Sequence, residues 1–559
     1  MSGAKVAGFG VLCSVIAGCA SSGPRVVEWH AAAQPTGQVA PLLDGLGSYP
    51  HRVTTTVPRA QRFFDQGLNL TYAFNHKEAI RSFRESARLD PQCAMAYWGW
   101  ALALGSNINS PIDAEREEKA YKAIQTAMTL RSNATAVEAA CIEALAKRYS
   151  QEARPDRAAL NKAYADAMGL VVRRFPDDQD VATFYAAALM NLQPWSYWTR
   201  DGKPKGDTPT IVAALESVLD RNPHHPGALH YYIHATEASN TPERAESAAD
   251  RLRYLMPGAG HLLHMPSHTF MRVGRYADAS ECNVAGIAAD ERYITQCRAQ
   301  GIYPLIYYPH NIHFLWAAAS MEGRNAVAIE AARKVASKVS PEMLREETTL
   351  QTFVVAPLYA MTRFGRWDEA LREPKPDGDL PFVVGIWHYA RGLALASKGR
   401  IDEASSELDS LAAIADDPNV ADKPVTLAHT TASAILGIAT EVLAGELAAK
   451  RGDAAKAIAH LHRAVLLEDG LRYDEPEDWH YPTRHVLGAL LLDAGRSREA
   501  ESVYWEDLRR HPENGWALYG LLESLRAQGD GRKRDAADVE TRFRKAWAHA
   551  DITLTASRF

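Results

Sequence analysis

The stretch "FFDQGLNLTYAFNHKEAIRSFRESARLDP" (63–91) decides the fold. Gly67 sits where one helix must approach its neighbour closely, and Ala79 where a second helix does the same. Phe83 is the aromatic of that second helix, and Pro91 ends the unit. A new unit begins at once with "AMAYWGWALALG" (94–105), which sets Tyr97 and Ala101 at matching positions. Pro223 and Pro257 stand one period of about 34 residues apart, with Ala245 and Ala279 at the small position of the second helix. Gly274, Gly323, Gly365, Gly399, Gly452 and Gly495 mark further turns, each followed five residues on by Ala279, Ala328, Ala370, Ala404, Ala457 or Ala500.

This pattern resembles the tetratricopeptide repeat, which implies an all-α, right-handed superhelical solenoid. In such solenoids positions two, five, nine, twelve and thirteen of the first helix face the concave groove. Three successive units read "ALHYYIHATEA" (228–238), "GHLLHMPSHTFMRVGRY" (260–276) and "YYPHNIHFLWAAA" (307–319). Counting back from Ala245 sets His230 at five, His234 at nine and Glu237 at twelve. Counting back from Ala279 sets His261 at two, His264 at five, His268 at nine and Arg272 at thirteen. Counting back from Ala328 sets His310 at two and His313 at five. All seven histidines are thus expected in one groove, and His230/His234 and His264/His268 are i,i+4 pairs on one helix face.

Imidazoles so arranged suit a transition metal. The ligand set is rich in nitrogen and has Glu237 as its only groove carboxylate, which favours copper, with zinc or iron as alternatives. The chain lacks the Glu-x-x-His pairs of a di-iron bundle and the H-E-x-x-H of a zinc protease. An oxidoreductase is the first expectation on ligand type alone. The competing expectation is a groove that clamps a peptide or protein partner, with histidines as hydrogen-bond donors. Random placement would put fewer than one histidine in the groove slots of three repeats. Trp98, at groove position five of the second unit, is a stacking surface or inner packing. Arg272 holds an anion or pairs with an acid, and His485 occupies a later groove position.

At 559 residues the chain exceeds one compact core, a limit a solenoid escapes because each unit packs only on its neighbours. The formal charge of −6 is mild, and no basic patch with interleaved aromatics appears, so nucleic acid is not expected as a partner. No Ser/His/Asp order, phosphate loop or dinucleotide fingerprint stands out. Residues 1–18, "MSGAKVAGFGVLCSVIAG", read as a signal peptide, and "Ile16-Ala17-Gly18-Cys19" resembles a bacterial lipobox. Cys19 would then carry lipid and anchor the protein to a membrane of the cell envelope. With Ala20 next, the sorting rule implies the periplasmic face of the outer membrane. Residues 19–50 read as a flexible tether and 51–555 as the solenoid, with the histidine groove at 227–321. No further apolar run is expected to cross a bilayer. The remaining cysteines show no CxxC spacing; Cys282 and Cys297 are close enough in sequence to pair in an oxidising compartment.

Two insertions, 192–210 and 292–308, and the stretch "YDEPEDWHYPTRH" (473–485) interrupt the repeats; they are either covers for the groove or solvated connectors. Together with "HMPSHTFMRVGRYADA" and "YYPHNIHFL", the last stretch resembles a bacterial family of secreted tetratricopeptide proteins without an assigned activity. The resemblance spans nearly the whole mature chain and implies a defined protein type without supplying a reaction.

Overall fold

Six left-handed glycines set the rhythm of the fold. Gly274, Gly323, Gly365, Gly399, Gly452 and Gly495 have φ between 62° and 80°, and each joins two antiparallel helices. A glycine adopts this conformation at a helix C-terminus without the Cβ clash that other residues meet, so the turn after each first helix falls there. The computed structural model describes residues 37–152, 154–297 and 301–559, from Pro58–Tyr72 to Lys533–Ala546 a succession of helix pairs. Among the described residues there is no strand, only three isolated bridges. The architecture is an all-α, tetratricopeptide-like solenoid. Gly67 and Gly99 flank the Phe83 ring, where an added Cβ would lie 2.8 and 2.4 Å from it.

The solenoid folds back on itself twice, and both closures fall on the histidine repeats. In the first, His230 Nδ1 meets the carbonyl of Tyr72, 158 residues earlier, at 2.6 Å. In the second, Trp516 donates to the Ser320 carbonyl at 2.9 Å and Tyr276 to the Pro512 carbonyl at 3.0 Å. Asp551 accepts from the Asn325 and Ala326 amides, which caps the helix Asn325–Ala336 from the far end of the chain. Two hydrophobic cores follow, one from Leu46 to Ala318 and one from Ile287 to Leu554. They overlap around the histidine helices.

Three expectations change. Residues 37–50 are docked, not tethering: the Val39 amide donates to Glu85, the Leu43 amide to Gln66, and Ala40 is fully buried. The buried acceptors Glu85 and Gln66 need these amides, which fixes the segment. Cys282 and Cys297 are both free and lie on one helix, Tyr276–Cys297. Fifteen residues of helix separate them by roughly 22 Å, far beyond disulfide reach. The helix Ala432–Lys450 is long and apolar enough to cross a membrane by length and composition. It is mostly buried, packed between Pro381–Ser397 and Ala454–Glu468, as a core helix is. The expected signal peptide, Cys19 and residues 20–36 of the expected tether lie outside the described residues.

Candidate metal centre

The helix Pro226–Thr236 carries His230 and His234, capped by His225, whose Nδ1 accepts from the Ala228 amide at 3.1 Å. Gly260–His264 and Pro266–Arg272 carry His261, His264 and His268; Tyr308–Met321 carries His310 and His313. Their ring nitrogens form two groups of three. His230, His234 and His261 offer one ligand atom each within 4.8 Å of one another, and so do His264, His268 and His310. In repeat register each group is positions five and nine of one unit plus position two of the next. The second group is the first shifted by one repeat.

The hydrogen bonds of the rings decide where their lone pairs point. A carbonyl can only accept, so His230 donates Nδ1–H to Tyr72 O, and a neutral His230 keeps its Nε2 lone pair inward. His264 Nδ1 lies 2.7 Å from Asn283 Oδ1, and Asn283 Nδ2 donates to the Ala279 carbonyl, so Oδ1 is the acceptor. His268 Nδ1 faces carboxylates, Glu475 at 2.8 Å and Glu237 at 3.1 Å. With both Nδ1 protons committed, the Nε2 atoms of His264 and His268 meet at 3.0 Å. Two lone pairs cannot sit there unaided; a proton or a metal ion must lie between them. His261 Nε2 and His230 Nε2 stand 3.1 Å apart; His261 Nδ1 has no hydrogen-bond partner, so a neutral His261 donates its Nε2–H to His230 until a metal takes its place. A four-coordinate metal with bonds of about 2.0–2.1 Å spaces its ligand nitrogens by about 3.3 Å, close to both separations. His234 Nε2 is buried with no hydrogen-bond partner, which leaves it free to complete the first group.

Burial, reinforced by neighbouring imidazoles, holds His230, His261, His264 and His310 well below the usual histidine range, and so in the neutral form a metal requires. Burial lowers His234 as well, against the pull of Glu237. His268 is the exception: burial opposes its charge, but Glu237 and Glu475 outweigh it and lift the ring to about 10. Without metal, His268 therefore holds the proton that joins it to His264. Of the two carboxyls, burial pushes Glu475 up, whereas the His268 and His234 rings hold Glu237 low against its own burial.

An aromatic ring backs each group. Phe74 lies 4.5 Å from His230 and 5.2 Å from His261; Phe314 lies 4.7, 4.5 and 5.1 Å from His264, His268 and His310. The opposite side is open: His234, His261, His268 and His310 line one cavity of about 2120 Å³, with His230 and His264 behind them. The 192–210 insertion reaches this cavity and sets Trp195 edge-on to His234 at 5.1 Å. Trp195 is half exposed (49%) and held at φ 59°, a left-handed conformation costly for any side chain. Tyr307, from the other insertion, lies on His261 at 5.1 Å, and Asn109 donates to its hydroxyl.

The remaining expected residues fall elsewhere. His313 stacks on Trp316 at 4.9 Å and against Phe353 at 5.3 Å, outside both groups; position nine of its unit is Ala317, so that unit starts no further histidine trio among the described residues. Trp98 is core packing, with its ring on Phe184 and its N–H on the Cys141 carbonyl at 3.2 Å. His485 is buried between Asp507 (2.9 Å) and Arg363 (3.2 Å), away from the cavity wall. Arg272 donates to the carbonyls of Glu237 and Ser239, stands 4.0 Å from Glu475, and covers the Tyr473 ring. Sequence reasoning missed Glu475 as a partner of His268, although the loop that carries it had stood out. It also missed Phe74, whose signal is legible: Phe74 lies five residues before Ala79, where six other turns have glycine.

No protein-family profile matches the chain, and no curated protein does. Among solved structures the chain is similar to human IFIT1, solved as a dimer with m7Gppp-AAAA, at 12% identity over 85% of this chain and 94% of that one, TM-score 0.31. It is similar to the Cut9–Hcn1 hetero-tetramer of the APC/C at 14% identity, 83% and 76% coverage and TM-score 0.30. Yeast Tom70 shows 11% identity, 88% and 93% coverage and TM-score 0.27. Similarity of this depth does not extend to function.

Proposed function

We propose that this protein holds two transition-metal ions side by side in its groove, one on His230, His234 and His261 and one on His264, His268 and His310, and acts as an envelope-anchored oxidoreductase. The observation that carries the reading is the 3.0 Å approach of His264 Nε2 to His268 Nε2 when both Nδ1 protons are already committed. All-imidazole ligation favours copper, with zinc or iron as alternatives. Bound copper would supply one-electron redox chemistry at the cavity wall. The chain's own contribution is orientation and enclosure. Tyr72 O, Asn283 and Glu475 fix the ring tautomers, as acceptors behind metal-bound histidines do. Phe74 and Phe314 exclude water from the rear, so a substrate reaches the metals only from the cavity. Metal displaces the proton from His268 Nε2, while Glu237 and Glu475 keep Nδ1–H engaged behind the ring.

The cavity exceeds the 300–1,000 Å³ of ordinary small-molecule pockets, which favours a second reading in which a peptide or protein partner enters the same groove. The two readings are compatible, the partner then being a substrate or a regulator. The lipid anchor at Cys19, the outer-membrane location and membership of the secreted bacterial tetratricopeptide family belong to this proposal and rest on the N-terminal sequence and the quoted motifs.

Elemental analysis of the purified protein tests the reading. Two equivalents of copper, zinc or iron per chain are expected. A protein that stays metal-free and rejects added copper and zinc leaves the peptide groove alone.

A further inference from the structure

Behind the first trio lies a buried carboxylate outside both metal groups. Asp180 is 6% exposed and takes contacts from three separate segments. Tyr72 donates its hydroxyl to Asp180 Oδ1 at 2.5 Å, Tyr49 donates to Oδ2 at 2.9 Å, and His51 Nδ1 meets Oδ2 at 2.6 Å. His225 Nε2 stands 3.2 Å from Oδ1, off the line of a good hydrogen bond. Because His225 Nδ1 accepts from the Ala228 amide, its proton is on the Nε2 that faces Asp180.

These contacts bear directly on His230. Tyr72 supplies both the hydroxyl bound to Asp180 and the carbonyl that accepts from His230. His225 caps the helix that carries His230 and His234. Gly227, next to that cap, lets the helix lie against the Tyr72 ring; a Cβ there would come within 2.4 Å of it. Asp180 thus clamps the acceptor of His230 to the start of the ligand helix. The second trio has no such tie: its outer acceptors are Asn283 and Glu475.

We infer that Asp180 is a positioning residue for the first metal ion and not for the second, so the two ions are held by separate supports and one can be lost without the other. The inference rests on the two-metal reading above. Losing an outer acceptor of a ligand histidine weakens metal binding by roughly 10–100-fold. A clamp acting through Tyr72 and His225 is expected within that range.

The test is metal stoichiometry and chelator release after copper(I) or zinc loading, for the parent, Asp180→Asn and Tyr72→Phe. Tyr72→Phe keeps the ring and the carbonyl and removes only the hydroxyl, so it serves if Asp180→Asn fails to fold. The parent is expected to hold two equivalents released at similar rates. In both variants one equivalent is expected to leave roughly 10–100-fold faster and the other at the parental rate. Adding His264→Ala and His268→Ala to Asp180→Asn is expected to remove the slow equivalent as well. Two equivalents with parental release from a folded Asp180→Asn, or from Tyr72→Phe, overturn the positioning role alone. Equal acceleration of both equivalents overturns it too, as that is general loosening. A parent that takes up no metal overturns the metal reading and this inference with it.

Discussion

The Phe74 ring lies 4.5 Å from the His230 ring, although Phe74 stands at φ 59° in the turn where six other repeats have a left-handed glycine. The left-handed conformation costs a non-glycine residue ~1–2 kcal/mol. A side chain that is 1% exposed and walls the first histidine group offsets that cost through burial. Elsewhere glycine is worse than alanine by ~0.5–1 kcal/mol; here the order should invert. Phe74→Ala is expected to destabilise by ~3–5 kcal/mol, and Phe74→Gly by ~1 kcal/mol less because it sheds the strained Cβ. Urea unfolding reads this, and an alanine variant more stable than the glycine variant would show that the turn is not strained.

His313 separates the register from the site. It occupies the same repeat position as His230 and His264 yet packs on Trp316 and Phe353. His313→Ala is expected to lose stability by ~2 kcal/mol, in the range of large-to-small core changes, and to keep the full metal content. His264→Ala/His268→Ala is expected to keep the fold and lose one equivalent of two. Metal loss from His313→Ala, or retention of both equivalents in the double variant, contradicts the assignment.

Local spacing made the groove histidines legible, but not their division into two trios, which the structure supplies. Positions five and nine follow from a helix that turns every 3.6 residues, and position two of the next unit from the repeat length. The other groups at the site come from contacts that only the closure of the solenoid creates. Glu475 reaches His268 across 207 residues, and Tyr72 reaches His230 across 158. Nothing periodic in the sequence encodes those separations. Trp98 and His485 show the converse: each has a groove address, but the packing around them buries Trp98 against Phe184 and His485 against Asp507. A register position names a helix face; the path of the superhelix decides what that face meets. The 37–50 segment departs from expectation for a related reason: its glycines and prolines suggest a linker, whereas its backbone amides are what buried side chains require.

The His51–Asp180 contact gives a pH signature. Burial works against the charge of His51, but Asp180 raises its pKa above the usual 6.5; burial works against Asp180, but His225 and His51 hold it far below the carboxylate range. The sign differs for the two partners of this one contact. Stability from the raised histidine is full below pH 6.5 and lost as pH rises through its folded value. Stability from the depressed carboxyl is full above about pH 4 and lost as pH falls below it. The stability gap between the parent and His51→Gln is therefore expected to be widest between about pH 4 and 6.5. It should narrow on both sides. Denaturant titrations at intervals from pH 3.5 to about 9 would measure it, and a gap that stays constant across that range would mean the contact carries no net charge effect.

Glu475 ties the second trio to the C-terminal half of the chain, so its charge should be felt at one metal only. Glu475→Gln keeps the size and an acceptor oxygen for His268 Nδ1–H but removes the negative charge behind the ring. A less basic His268 binds metal more weakly, and the expected loss is roughly tenfold in affinity at the second trio, with the first unchanged. The free protein responds as well: with one carboxylate fewer, His268 drops from its raised value of about 10 toward the usual range. The proton shared with His264 is then held less firmly, so less proton release accompanies metal uptake by Glu475→Gln than by the parent. Calorimetric titration in buffers of different ionisation enthalpy counts those protons directly. Weaker binding with undiminished proton release would assign the effect to loop displacement instead of charge, and equal weakening at both trios would mean that Glu475 braces the whole groove.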